Sequence, residues 1–320
     1  MMWRSSITEG FHLSNAMKAA RWLRRGGLRI LMYHRFPASA VESGQLARQC
    51  EHFRRYYHLL SLDQAAEHLQ SGKPFPPYSL ALTIDDGYRD FLGAAEVFHR
   101  YEVPVTMYLA IDFLDRLEWL WTDLVRTCFK ASALRKVNIP FEGMPAELLP
   151  VSPEGARRFN TMAKRVPDGE RRRMVAQLGI WLEVNQPKLP PEPHAPLAWD
   201  EVRRLSRRGV TFGAHTMSHP ILARLESADA LRHEIEGSRL RVEQELSMPV
   251  RHFCYPNGQP EDISPEVLAA TRHAGFLTAV TTSCGINYSR TDPLRLLRFG
   301  MEPSLSGFYF ESVTAGWRKT

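Results

Sequence analysis

The chain has 320 residues, 44% of them hydrophobic, 10% aromatic and 24% charged, with a formal net charge of +6. This balance excludes disordered, collagen-like and coiled-coil chains, and charged residues interrupt every apolar run before it is long enough to span a bilayer. Four cysteines with no Cys-x-x-Cys pair exclude a disulfide scaffold and imply free thiols in a reducing compartment.

Residues 1–27 carry Arg4, Lys18, Arg21, Arg24 and Arg25 without an apolar core and small-residue cleavage site, so no secretory signal is expected. They are predicted to form a basic helical segment. Met17–Arg25 fits either a solvated surface helix or a basic amphipathic helix lying on an anionic bilayer. A cytoplasmic location is therefore expected, with peripheral contact to a membrane as the alternative that the second reading allows. The cations are dispersed without interleaved aromatics, so no nucleic-acid partner is indicated.

From Leu28 onward, short β-like runs alternate with helical patterns, which predicts an α/β fold with a parallel sheet. The runs are Leu28–Tyr33, Leu80–Ile84, Val103–Ala110, Val210–Ala214, His252–Tyr255 and Phe276–Thr282. Several are apolar throughout, as strands covered on both faces must be. Phe91, Ala95 and Phe98 mark one helix face, and Leu231, Ile235, Ser238, Val242 and Leu246 mark another. Ser264-Pro265-Glu266 opens a further helix that Gly275 is placed to close. Right-handed crossovers then give an open sheet or a closed barrel. Between about 112 and 196 the strand signal fades; Trp119, Trp121, Leu124 and Val125, then Met174, Leu178 and Trp181, read as helix faces. That stretch is predicted to be a helical insertion within one domain covering 28–320, and its proline-rich end, Gln186–Pro193, an extended connector.

Thr83-Ile84-Asp85-Asp86-Gly87 sets two adjacent carboxylates where a buried strand ends. On their own they also fit an Asx-type turn. Two carboxylates this close do not both ionise freely unless a cation separates their roles. His215 and His219, at i and i+4 after Val210–Ala214, can aim two imidazoles at one ion. Both motifs fall at the C-terminal ends of predicted parallel strands, the face where α/β proteins assemble sites. One carboxylate with two imidazoles leaves positions for water and substrate and suits zinc, cobalt, nickel or iron.

With TIDDG at Thr83–Gly87, GAHTMSHPIL at Gly213–Leu222, FCYPNG at Phe253–Gly258 and ILMYHRF at Ile30–Phe36, the chain resembles the polysaccharide deacetylases, carbohydrate esterase family 4, with the NodB-homology domain. The resemblance runs from about Leu28 to Met301 and leaves the insertion unmatched. It implies a distorted (β/α) barrel with fewer than eight regular strands, and metal-dependent removal of acetyl groups from an N-acetylated carbohydrate. By the same resemblance Asp85 is the general base, and Asp86, His215 and His219 hold one divalent metal, zinc first. Asn257 lies on the loop that supplies an oxyanion N–H, and Tyr255 lines the pocket. Thr216 and Ser218 have no evident base and are expected to orient the metal loop.

Two departures from the family pattern stand out. The arginine that many members place in the third motif is replaced by Cys254, so Arg298, or with less support Arg295, is expected to supply the charge on Asp85. The late Leu-x-His acid is missing, since no histidine follows His273; His34, at the end of the first strand, is the candidate acid, with a plain structural hydrogen bond as its alternative. Two rival readings remain: an amidohydrolase or deformylase acting on another amide or a formamido sugar, and a catalytically silent carbohydrate-binding homologue.

Overall fold

The computed structural model describes residues 16–141 and 144–317. Among the described residues ten strands form two sheets: β1 (Arg29–Tyr33), β2 (His58–Leu59), β3 (Ser79–Ile84), β4 (Val105–Leu109), β5 (Lys136–Phe141), β6 (Met144–Pro150), β7 (Thr211–Ala214), β8 (His252–Cys254), β9 (Thr278–Val280) and β10 (Phe299–Gly300). The main sheet runs β10-β1-β3-β4-β7-β8-β9, with β2 on the first residues of β3, and its ladders are parallel. One stretch ties its two edges together. Leu296 bridges Val280 of β9, and Phe299 and Gly300 then pair with Leu31 and Met32 of β1. The sheet thus curls into the expected distorted barrel.

All six residues of β3 and all five of β4 are buried. Alternate side chains point to opposite faces, so both faces must be covered, as in an α/β layering. The covering helices include Gln45–Tyr56, Phe91–Arg100, Trp199–Arg207 and Pro265–His273. The last begins as its sequence requires: the Ser264 hydroxyl accepts the Val267 N–H, Pro265 sits in the first turn, and Gly275 follows at φ +78°. Residues 228–246 form one helical rod in which α-turns at Ala228–Arg232 and Ser238–Leu246 flank a π-turn at His233–Gly237.

β4 and β7 pair directly, although the insertion separates them in sequence. Strands on both sides of it therefore belong to one sheet. The insertion contains helices Ile111–Asp115, Trp121–Ala131, Pro153–Ala163 and Asp168–Trp181, but also the antiparallel hairpin β5–β6. This corrects the expectation of a purely helical insertion. Val137 and Ile139 are buried while Lys136, Asn138 and Pro140 are exposed, a five-residue period-two alternation whose proline and short length hide it among the surrounding helix patterns. The insertion has an apolar cluster of its own, which includes Val125, Phe129, Leu149, Phe159 and Leu178. Its proline-rich end holds one 3-10 turn, Glu192–His194.

Residues 16–23 are helical. Met17 and Ala20 pack with Ala315, whereas Trp22 and Leu23 are exposed. The remainder of the expected basic segment, residues 1–15, lies outside the described residues. Among the described residues no helix is long and apolar enough to cross a membrane.

Candidate active site

The parallel order puts the C-terminal ends of β1, β3, β7 and β8 at one end of the sheet, with β4 between β3 and β7, and each of the four carries polar residues immediately past its last strand position. After β3, Asp86 and Gly87 both take positive φ, +79° and +92°. This turns the chain so that two neighbouring carboxylates face one end of the barrel instead of opposite sides of the sheet. Gly87 is needed there, because a Cβ would lie 2.9 Å from the Leu109 side chain. Asp85 and Asp86 are both buried.

After β7 the loop is strained in the same way: Thr216 and His219 have φ of +69° and +56°. A β-branched residue at positive φ costs on the order of 1–3 kcal/mol and persists only where its surroundings impose it. Those surroundings are visible. The Thr216 hydroxyl donates to the His215 carbonyl at 2.5 Å and accepts the His219 N–H at 3.1 Å. Buried Glu234, on the π-turn, accepts the N–H groups of Met217 and Ser218, both at 2.9 Å, and the Ser218 hydroxyl at 2.6 Å. From the insertion, Arg172 donates to Ser218 Oγ at 2.6 Å. Thr216 and Ser218 hold the loop rather than present nucleophiles.

His215 Nδ1 lies 2.7 Å from the Cys254 carbonyl, which only accepts, so that nitrogen carries the proton and Nε2 keeps its lone pair. His215 Nε2, His219 Nε2 and Asp86 Oδ1 stand 3.2, 3.4 and 3.5 Å apart. Ligands about 2.0–2.2 Å from a tetrahedral ion are separated by about 3.3–3.6 Å, so these three donors fit one divalent cation. Burial works to raise the Asp86 carboxyl, but the two imidazoles beside it outweigh this and hold its pKa well below the usual carboxylate range. A second donor group, Asp85 with His215 and Cys254, also converges. It is the poorer set, because Arg298 engages both oxygens of Asp85 and burial raises the Cys254 thiol pKa.

Arg298 reaches Asp85 from just before β10. The guanidinium forms a bidentate pair, Nη1 to Oδ1 at 2.7 Å and Nη2 to Oδ2 at 2.8 Å, and is itself fully buried. Thr83 Oγ1, the Thr281 carbonyl and Cys254 Sγ accept its other contacts at 3.0, 2.7 and 3.2 Å. Burial raises the Asp85 carboxyl, yet Arg298 outweighs it and leaves the pKa below the ordinary value. A guanidinium is thus supplied from the segment before β10, against the sulfur of Cys254, which stands where the third motif lacks its arginine. Arg295 makes no such contact among the described residues.

A cavity of about 610 Å³ opens above these groups. His34 lines it, with Nε2 3.7 Å from Asp85 Oδ2 and a half-exposed ring. Tyr255 and Asn257 line it as well. The Tyr255 hydroxyl donates to the Leu294 carbonyl at 3.0 Å, and Asn257 sits at φ +58° with its amide donating to Asp262 at 2.6 Å.

Other lining residues come from the insertion and were not identified from sequence: Asp123, Arg126, Lys164 and His194 among them. Asp123 Oδ2 accepts the Tyr88 hydroxyl at 2.6 Å and lies 3.0 Å from His194 Nδ1. Lys164 Nζ donates to Asn257 Oδ1 at 2.6 Å. No spacing motif announces these residues, because each reaches the cavity through the packing of the insertion on the barrel. Glu234 was equally silent, since the apolar helix pattern runs through the π-turn unbroken.

A family model described as polysaccharide deacetylase matches residues 172–279. No curated protein matches the chain. Among solved structures, the chain is similar to the Streptococcus pyogenes deacetylase PplD in complex with acetate, at 17% identity and a TM-score of 0.57, covering 88% of this chain and 95% of that one. It is also similar to IcaB from Ammonifex degensii, at 16% identity and a TM-score of 0.56, covering 91% and 97%. The BpsB deacetylase domain from Bordetella bronchiseptica gives 13% identity and a TM-score of 0.52, covering 86% and 96%. At these identities the structural likenesses establish the fold.

Proposed function

We propose a metal-dependent hydrolase that removes N-acetyl groups from a sugar, with zinc held by Asp86, His215 and His219; the match of residues 172–279 to a polysaccharide deacetylase model supports this reading. A divalent cation there supplies a Lewis acid for the acetyl carbonyl and lowers the pKa of a water. The overall change is hydrolysis of the amide C–N bond, giving acetate and a free amine.

Asp85 is the base. Each carboxylate oxygen has two lone-pair positions, and Arg298 occupies one on each, so a position remains to accept the proton of the attacking water. Arg298 keeps the carboxylate ionised in a buried setting that would otherwise favour the neutral acid. His34 stands beside Asp85 on the open side of the cavity and returns a proton to the departing nitrogen. The loop at Asn257 offers backbone N–H to the carbonyl oxygen as it gains charge.

The observation that carries this reading is the convergence of three metal donors and the Asp85–Arg298 pair in one cavity. Acetate release from N-acetylhexosamine oligomers, with and without chelator and in Asp85→Asn and His215→Ala, tests it. Chelation and either substitution are expected to lower kcat/KM by about 10³-fold or more, the scale of several kcal/mol of lost transition-state stabilisation. Activity untouched by all three overturns the mechanism.

A further inference from the structure

The cations that face the cavity are unevenly matched by carboxylates. Arg126 pairs with Asp123 at 3.1 Å, but that same carboxylate already serves the Tyr88 hydroxyl and His194. Arg35 is held by Asp90 at 2.7 Å and lies over the Tyr88 ring. Lys164 makes no ion pair among the described residues; the neutral amide oxygen of Asn257 takes its hydrogen bond. The carboxylate that it senses, Asp262, is committed to the Asn257 amide and the Gln259 N–H.

Burial pushes the Lys164 pKa down, Asp262 partly restores it, and the Arg126 guanidinium depresses it further. A half-buried ammonium beside a guanidinium and without a counter-ion is costly, and a bound anion removes that cost. Both cations come from the insertion and look onto the cavity that holds Asp85 and Asp86.

We propose that Lys164 and Arg126 form a subsite for a phosphate substituent on the N-acetyl sugar. The proposal rests on the cavity being the deacetylase site argued above. Phosphate is favoured over a carboxylate because its extra charge and three acceptor oxygens satisfy an ammonium and a guanidinium fork together. The same chemistry reaches a cell as a nucleotide-linked or a lipid-linked sugar.

The test is calorimetric binding of N-acetylglucosamine 1-phosphate and of N-acetylglucosamine to the metal-loaded protein at low and high salt. The phosphate is expected to bind at least about tenfold more tightly, and the preference to shrink with salt. Lys164→Gln and Arg126→Gln are each expected to reduce the preference by about tenfold, the scale of one charge-assisted contact, while Lys164→Arg retains it. Equal binding of the two sugars by the unaltered protein overturns the proposal, and so does a preference that both Gln variants keep, which would place the phosphate on the metal. N-acetylmuramic acid binding as tightly as the phosphate also overturns it, in favour of a carboxylate.

Acetate release, scored in parallel, separates the two readings. Turnover without phosphate preference ends the subsite and leaves the deacetylase standing. A preference lost in Lys164→Gln without any turnover keeps the subsite and ends the deacetylase. With the preference established, UDP-N-acetylglucosamine and a prenyl diphosphate-linked N-acetylglucosamine in neutral vesicles identify the carrier by which binds more tightly.

Discussion

The barrel sheet and the 112–196 insertion bury their side chains by different rules. In β3 and β4 every residue is buried and the apolar run is continuous. In the insertion, burial alternates along β5 and follows one face of helices such as Trp121–Ala131, around a separate small cluster. The groups assigned to the chemistry stand at or beside the ends of sheet strands, whereas the insertion adds Asp123, Arg126, Lys164 and His194 to the wall. A rigid sheet fixes donor atoms to within tenths of an ångström, which ligation and proton transfer require. A wall with its own core can change which substrate fits without disturbing those atoms.

The sharpest way to break this contrast is Phe159→Ala. Phe159 is fully buried and packs on Phe129 at 6.2 Å between ring centroids. Its loss is expected to cost about 3–5 kcal/mol, felt first as lost hydrogen-exchange protection across residues 121–182 while β1, β3 and β4 stay protected. Equal loss of protection in the sheet would show that the two regions share one cooperative unit.

A pH experiment probes the barrel side. His52, on the helix Gln45–Tyr56, faces Phe53, Tyr57 and Phe310, and its Nε2 is buried without a partner. Burial, with Arg21 and Arg55 adding to it, lowers its pKa to about 4. An unfolded histidine titrates near about 6.5, so between these values the unfolded chain binds the extra proton and stability falls as pH drops, levelling off below the folded pKa. The loss is expected to reach at most about 3 kcal/mol, and His52→Leu to flatten it; an unchanged pH profile in that variant assigns the acid sensitivity elsewhere.

The smallest effect sits where the two regions meet. Glu234→Gln keeps the shape of the clamp on the His215–His219 loop but removes its charge, and is expected to weaken metal binding by about 10–100-fold in competition with a chelator. Arg172→Gln, on the insertion side of the same loop, should weaken it less. If Arg172 matters as much as Glu234, the insertion is part of the metal centre and the contrast fails at that point.

Much of the sheet was legible because the cause was local. Continuous apolar runs ended by polar turns located β1, β3, β4, β7, β8 and β9 to within a few residues. The two-residue strands β2 and β10 carry too little pattern to be seen, and the short alternation in β5 was lost among prolines. The candidate metal donors Asp86, His215 and His219 were legible because they fall in the contiguous motifs Asp85-Asp86 and His215-x-x-x-His219. His34 was located by the end of the first strand, and Arg298 entered only as a compensation for the missing motif arginine.

What the sequence determines by itself, then, is where strands end and which contiguous side chains those ends carry, since backbone sterics and hydrophobic periodicity act over a few residues. What only the tertiary structure decides is which ends meet. Arg298 and Asp85 are 213 positions apart, Lys164 and Asn257 are 93 apart, and Glu234 reaches the His215–His219 loop through a π-turn. Such pairings depend on strand order, on closure of the sheet through Leu296 and Phe299, and on how the insertion packs against the open end. Long-range geometry of this kind leaves no periodic trace in the chain.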